Sequence, residues 1–173
     1  MRDSGKYGRY AMTEEELAAF CAGEAEQAVL TTLRKNGAPL AIPLGFFYDG
    51  DYFYVTIGKD RGGPTRMRND ARVCLTIPSP RPYPTKFVIA EGAAEEIPDA
   101  DHAISRNVLL RGPAEKWAER RVDHERFFQN WVSVGRCVFR IRVTNLMTYD
   151  GTKTPKEEKY SVGTRMPTDP LPA

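Results

Sequence analysis

Residues 28–57, "AVLTTLRKNGAPLAIPLGFFYDGDYFYVTI", decide the fold. Three runs rich in β-branched and aromatic residues are separated by Asn36-Gly37 and by Asp49-Gly50. Both dipeptides favour the positive backbone angles of tight turns between antiparallel strands. The stretch therefore reads as three antiparallel strands in a meander, and no helix alternates with them. Working outward, residues 72–77 make a fourth strand and "KFVIAEGAAEEI" at 86–97 a fifth. In "CVFRIRVTNLMTYDG", Val138, Ile141 and Val143 alternate with Arg140 and Arg142, which gives a sixth.

Helices are expected in four places. Thr13 and Glu16 form a capping box ahead of Leu17 and Phe20, with Gly23 as the stop. "PTRMRND" at 64–70 is short, and Pro64 suits a first turn. Residues 99–111 run from Asp99 as cap to Gly112. Residues 114–131 carry Trp117, Val122, Phe128 and Trp131 on a face that divides near Asp123. About six antiparallel strands with peripheral helices suit a barrel, closed or partly closed, because closure removes the unpaired edges that an open sheet exposes. Residues 1–154 are expected to be that single domain, and 155–173, rich in proline and charge, a tail or an arm lying on a partner subunit.

The 173 residues are 41% hydrophobic and 28% charged, with a net charge of +2, ordinary values for a globular domain with its own core. So small a charge argues against a nucleic-acid partner. No apolar run nears the ~20 residues that span a bilayer, and "MRDSGKYGRYAMTEEE" has no secretion signal, so cytoplasmic residence without membrane attachment is expected. Cys21, Cys74 and Cys137 are far apart and form no CxxC pair, so neither a disulfide framework nor a metal site is expected. Cys74 reads as a buried small apolar residue. His102 and His124 lack the partners of a hydrolase or metal site and read as exposed or half-buried.

One stretch asks for a chemical explanation. In "YFYVTIGKDRGGPTRMRNDARVCLTI", residues 52–77, Lys59, Arg61, Arg66, Arg68 and Arg72 crowd around Gly62 and Gly63 between two strands. Either water solvates these charges or an anion offsets their repulsion.

Three segments in order carry a resemblance: the strands of 28–57 with Gly37, Pro39 and Pro43; the basic loop, short helix and "NDARV" strand start; and "FVIAEGAAEEI". The chain resembles the pyridoxamine 5'-phosphate oxidase-related, FMN-binding split β-barrel family, which includes deazaflavin-dependent reductases. The likeness runs over residues 12–97 and takes in the strand at 137–150. It implies a homodimer with the cofactor between subunits. Thr56 then matches the strand-end hydroxyl that holds the cofactor phosphate, beside Val55, and Arg61 matches the phosphate arginine. Gly62 and Gly63 stand where relatives carry a lysine, and Lys59 or Arg66 is its replacement. Ile42, Pro43, Leu44, Gly45 and Phe46 match the strand along the flavin ring. "TYDGTK" is similar to a tryptophan-containing ending in some relatives, which implies that Tyr149 and Lys153 reach the cofactor.

The implied activity is an FMN-dependent oxidoreductase that moves hydride to or from a small organic substrate. No catalytic acid or base stands out, and no arginine–histidine clamp for pyridoxamine phosphate is visible. The first alternative is a deazaflavin-dependent reductase, whose acidic coenzyme asks for an extended basic groove along Lys59, Arg61, Arg66 and Arg68. The second is a non-catalytic binding protein that kept the barrel and lost the phosphate lysine.

Overall fold

The computed structural model describes residues 8–80, 84–110 and 123–155. Gly112, Trp117, Val122 and the tail beyond Pro155 lie outside them. The turn dipeptides act as their chemistry requires. Gly37 and Gly50 take φ of +81° and +110°, and Asp49 Oδ1 accepts hydrogen bonds from the N–H groups of Asp51 and Tyr52. They link β1 (Ala28–Leu33) to β2 (Pro39–Leu44), and β3 (Phe46–Tyr48) to β4 (Phe53–Gly58). β5 spans Arg72–Pro78, β6 Lys86–Ile97 and β7 Arg136–Asp150.

These make one antiparallel sheet of seven strands, ordered β2-β1-β5-β6-β7-β4-β3. The order corrects the expected meander. The run 39–48 is two strands, divided at Gly45: its first half pairs with β1 and its second with β4. β2 and β3 are therefore opposite edges of the sheet joined through one residue, which forces the sheet to curl into a split barrel. A side chain at Gly45 would press on the Val108 carbonyl oxygen, 3.2 Å from the ideal Cβ position, so glycine lets the edge pass beneath the helix there. β4 finds its other partner in β7, with Phe53 opposite Ile141 and Gly58 opposite Arg136.

Alternation along the strands fills the barrel. Leu30, Phe46, Val55, Leu75, Ile77, Val88, Ala90 and Ile141 are fully buried, and each large side chain so buried stabilises the fold by about 1.5–3 kcal/mol before entropy is subtracted. The outer face is less polar than alternation alone predicts. Pro43, Val29, Thr76, Ile89 and Met147 are register partners in one continuous row across five strands, and all but the exposed Pro43 are half-buried. Cys74 belongs to the next outer row, so it is half-exposed rather than a core residue; Cys21 and Cys137 are the buried thiols, and all three are free.

Helices close the ends. In α1 (Glu14–Ala19) the capping box is formed reciprocally between Thr13 and Glu16. The chain then continues through a π turn, Phe20–Glu24, past Gly23, and Leu17 and Phe20 enter the core. α2 (Gly62–Asn69) begins two residues before Pro64 and anchors on buried Met67. α3 (Ala103–Leu110) starts later than Asp99, whose carboxylate nevertheless accepts from the N–H groups of Ile104 and Ser105. α4 (His124–Ser133) has Asp123 as its N-cap. Among the described residues, no helix is long and apolar enough to cross a membrane.

Candidate functional site

Several hydrogen-bond donors and positive charges gather where β4 ends and α2 begins. Arg61 is the N-cap of α2, exposed, and its side chain does not cap the helix. No acidic residue stands in the first turn. The N–H groups of Gly62 and Gly63 therefore point out of a positive helix end with no side chain on them, and Pro64 has no N–H to satisfy. The two glycines serve different purposes. A Cβ on Gly63 would meet Ile57 Cδ1 at 2.8 Å, so this glycine lets α2 sit down on β4. A Cβ on Gly62 would meet Arg66 Nη1 at 2.7 Å, so the space of the missing side chain is taken by a guanidinium. Arg66 is held there by its Nε, which donates to Thr32 Oγ1 on β1 at 2.9 Å.

Thr56 is buried at the strand end and engaged by a residue that sequence reasoning missed. Arg136, first in β7, donates from Nε to Thr56 Oγ1 at 2.9 Å and from Nη2 to the Thr56 carbonyl at 3.1 Å. Its guanidinium stacks on Trp131 at 3.7 Å. With Oγ1 accepting from Arg136, the Thr56 hydroxyl keeps its proton to donate. Burial, and then the neighbouring positive charge of Arg61, hold the Arg136 pKa below the usual guanidinium value. A half-buried Arg136 guanidinium repelled by the exposed Arg61 beside free backbone N–H groups is an arrangement that an anion relieves. Nothing in "GRCVF" marks that arginine as inward-turning; only the pairing of Arg136 with Gly58 places it there.

The other expected residues separate. Lys59 lies along Gly135, whose Cβ would meet Lys59 Cδ at 3.0 Å, and it lines a different cleft. Arg68 is bidentate on Glu96, at 2.7 and 2.8 Å, and Arg72 pairs with Asp70 at 2.7 Å. The extended groove is therefore interrupted. Phe46 and Val55 are 0% exposed and are opposite each other across β3 and β4, so their side chains belong to the core and not to a cofactor surface. Ile42 and Leu44 pack partly against that core, leaving Pro43 facing outward on the β2 edge.

Tyr149 and Lys153 are not brought to α2 within the chain. Tyr149 lies thirteen residues along β7 from Arg136, up to about 40 Å away in an extended strand. Its ring stacks on Phe87 and meets Tyr10 edge-on. Lys153 Nζ donates to the Ala11 carbonyl and pairs with Glu16, and that lysine lowers the Glu16 pKa. Both residues tie the N-terminal segment to the end of β7. Among the described residues, no group of three or more His, Cys, Asp or Glu is placed to hold a metal ion.

Comparison with known proteins gives the setting. The family model for pyridoxamine 5'-phosphate oxidase matches residues 13–146. No curated protein matches the chain. Among solved structures, a conserved hypothetical protein of Mycobacterium tuberculosis superposes with a TM-score of 0.66 at 20% identity, covering 91% of this chain and 96% of its own. A protein described as an F420 reductase gives 0.53 at 19% identity, with 74% and 94% covered. A FAD-binding protein of Mesorhizobium loti gives 0.51 at 19%, with 79% and 91% covered. At these identities the likeness is one of fold.

Proposed function

Since the chain belongs to the pyridoxamine 5'-phosphate oxidase family, a family with flavin- and F420-related structural neighbours, we propose that it is an FMN-dependent oxidoreductase acting on a small organic substrate. One observation carries this reading: the uncapped start of α2, ringed by Arg61, Arg66 and Arg136. A flavin phosphate suits donors of these kinds, guanidinium, backbone N–H and hydroxyl. Arg61 and Arg66 would bind it, Thr56 would donate its O–H, and Arg136 would hold Thr56 in register. The edge from Ile42 to Gly45 would orient the ring. The flavin itself supplies the capacity to accept and release hydride.

The two alternatives each lose a support. A non-catalytic role rested on the missing lysine, and Arg66 puts a positive charge beside Gly62 where that lysine would stand. The deazaflavin reading asked for a continuous basic groove, but Lys59 turns to another cleft and Arg68 is neutralised by Glu96. A single-phosphate cofactor suits what remains. Titration of the purified protein with FMN and with the deazaflavin coenzyme, followed by absorbance and fluorescence, should saturate with FMN at lower concentration. Tighter binding of the deazaflavin would replace the reading with its first alternative, and no binding of either would leave the second.

The same reading includes a homodimer, as a two-fold assembly would cover the outer row from Pro43 to Met147 and could bring a second copy's Tyr149 and Lys153 to the flavin. Wild-type protein should sediment as a dimer at micromolar concentration. Ile89→Glu, at the centre of the row, should sediment as a monomer with unchanged circular dichroism. A wild-type monomer, or an Ile89→Glu dimer, would refute that assembly.

A further inference from the structure

Beside the anion site, a separate cleft of about 280 Å³ opens between the start of β7, the segment after β6 and α3. Pockets for drug-sized ligands begin near 300 Å³, so this one suits a smaller molecule. Its walls are mixed. Ile97, Pro98, Ala100 and Val138 give apolar surface; Lys59, His102, Ser105 and Arg136 give polar atoms.

Among the described residues, neither cation of this cleft, Lys59 or Arg136, is bonded to a carboxylate. The cleft's two carboxylates are already engaged: Glu96 holds Arg68 with both oxygens, and Asp99 accepts from two N–H groups of α3 with both of its own. Lys59 acts on Glu96 only at longer range. Its ammonium makes no hydrogen bond or ion pair among the described residues. The Cys137 thiol on the same wall is pushed up by burial and by Glu96, and so stays neutral. Arg136 spends Nε and Nη2 on Thr56 and has Nη1 left. What remains without a bonded partner in the cleft is the Lys59 ammonium and Arg136 Nη1, and Asp60 acts on Arg136 from outside it.

A second, independent observation also suggests a ligand. Ser105 is 0% exposed and lines the cleft, and its hydroxyl has no hydrogen-bond partner. An unpaired buried hydroxyl is costly, and native proteins rarely keep one without use. At the adjoining corner His102 is held at φ +58°, its ring edge-on to Phe128. Non-glycine residues adopt that region sparingly, and such positions cluster where a ligand is held.

We propose that this cleft binds a small organic carboxylate, its anionic end on Lys59 and Arg136 and a polar atom on the Ser105 hydroxyl, with the apolar wall taking its carbon skeleton. The site is distinct from the start of α2 and does not depend on flavin binding. Arg136 is their shared wall.

Benzoate is a suitable probe, added to flavin-free protein and followed by amide chemical shifts. Saturable shifts at Gly135, His102 and Ser105 are expected. Lys59→Met should weaken benzoate about ten-fold, the loss of one charge-assisted bond. Ser105→Ala should weaken it about five-fold, while unliganded protein becomes no less stable, because the variant removes a polar atom that has no partner. Arg72→Ala, on an exposed pair outside the cleft, should bind as the wild type does. Non-saturating shifts, or equal affinity in the wild type, Lys59→Met and Ser105→Ala, would overturn the proposal. FMN affinity measured on the same variants separates its failure from that of the flavin reading, since Lys59→Met should leave FMN binding unchanged.

Discussion

Arg61→Ala is expected to weaken FMN binding roughly ten- to a hundred-fold, with the unfolding midpoint unchanged. The two halves of that expectation have separate causes. A guanidinium on a partly desolvated phosphate makes charge-assisted bonds worth on the order of 1.5–3 kcal/mol each, which is the stated range in affinity. Folding is spared because the Arg61 side chain is exposed and does not cap α2. Arg72→Ala is the control, a residue of equal charge whose guanidinium is already on Asp70. Thr56→Val belongs in the same series and should affect folding as well, because it strips the acceptor from the half-buried Arg136 Nε. Fluorescence titration and thermal melts of the four proteins check all of this. If Arg61→Ala and Arg72→Ala lose affinity alike, the basic loop is a solvated surface.

The second large effect is on stability. Gly92 occupies the register shift between β6 and β7, and there the two backbones come close enough to exclude a side chain. A Cβ at 92 would fall on the carbonyl oxygen of Arg142 and within 3.1 Å of Val143 Cα. These are backbone atoms on the neighbouring strand and cannot rotate away. Gly92→Ala should therefore destabilise the protein by about 2–3 kcal/mol, as overpacking against fixed structure does, or roughly 4–12 °C for a domain of this size. Gly23→Ala, where an added Cβ meets nothing within 4 Å, should be near neutral. Equal urea midpoints for the two variants would contradict the close approach at the bulge.

Local chemistry was legible in the sequence wherever a few neighbouring residues decide the outcome. Asn36-Gly37, Asp49-Gly50 and the Thr13–Glu16 box each specify their own geometry, and the structure forms all three. Strand number went wrong at Gly45 because nothing local tells a strand that its two halves face different partners; closure of the sheet decides that. The same limit applies at the site. Arg61 entered the expected site through the family resemblance, and the structure leaves it exposed at the start of α2. The direction of Arg66 depends on Thr32, thirty-four residues away, and Arg136 becomes a site residue only because β7 pairs with β4. Phe46 and Val55 entered the expected site through strand position, yet as facing partners across β3 and β4 they share the core side of the sheet. Tyr149 and Lys153 were carried by an ending similar to that of relatives, and within the chain they secure the N-terminal segment instead.

The central claim is that the start of α2 holds a phosphate, and riboflavin, which is FMN without its phosphate, tests it most directly. Equilibrium titration of wild-type protein with both flavins should show FMN binding at least ten-fold more tightly, the worth of one charge-assisted contact, and Arg61→Ala should remove most of that preference. Equal affinity of wild-type protein for FMN and riboflavin, or a preference that survives in Arg61→Ala, would contradict it.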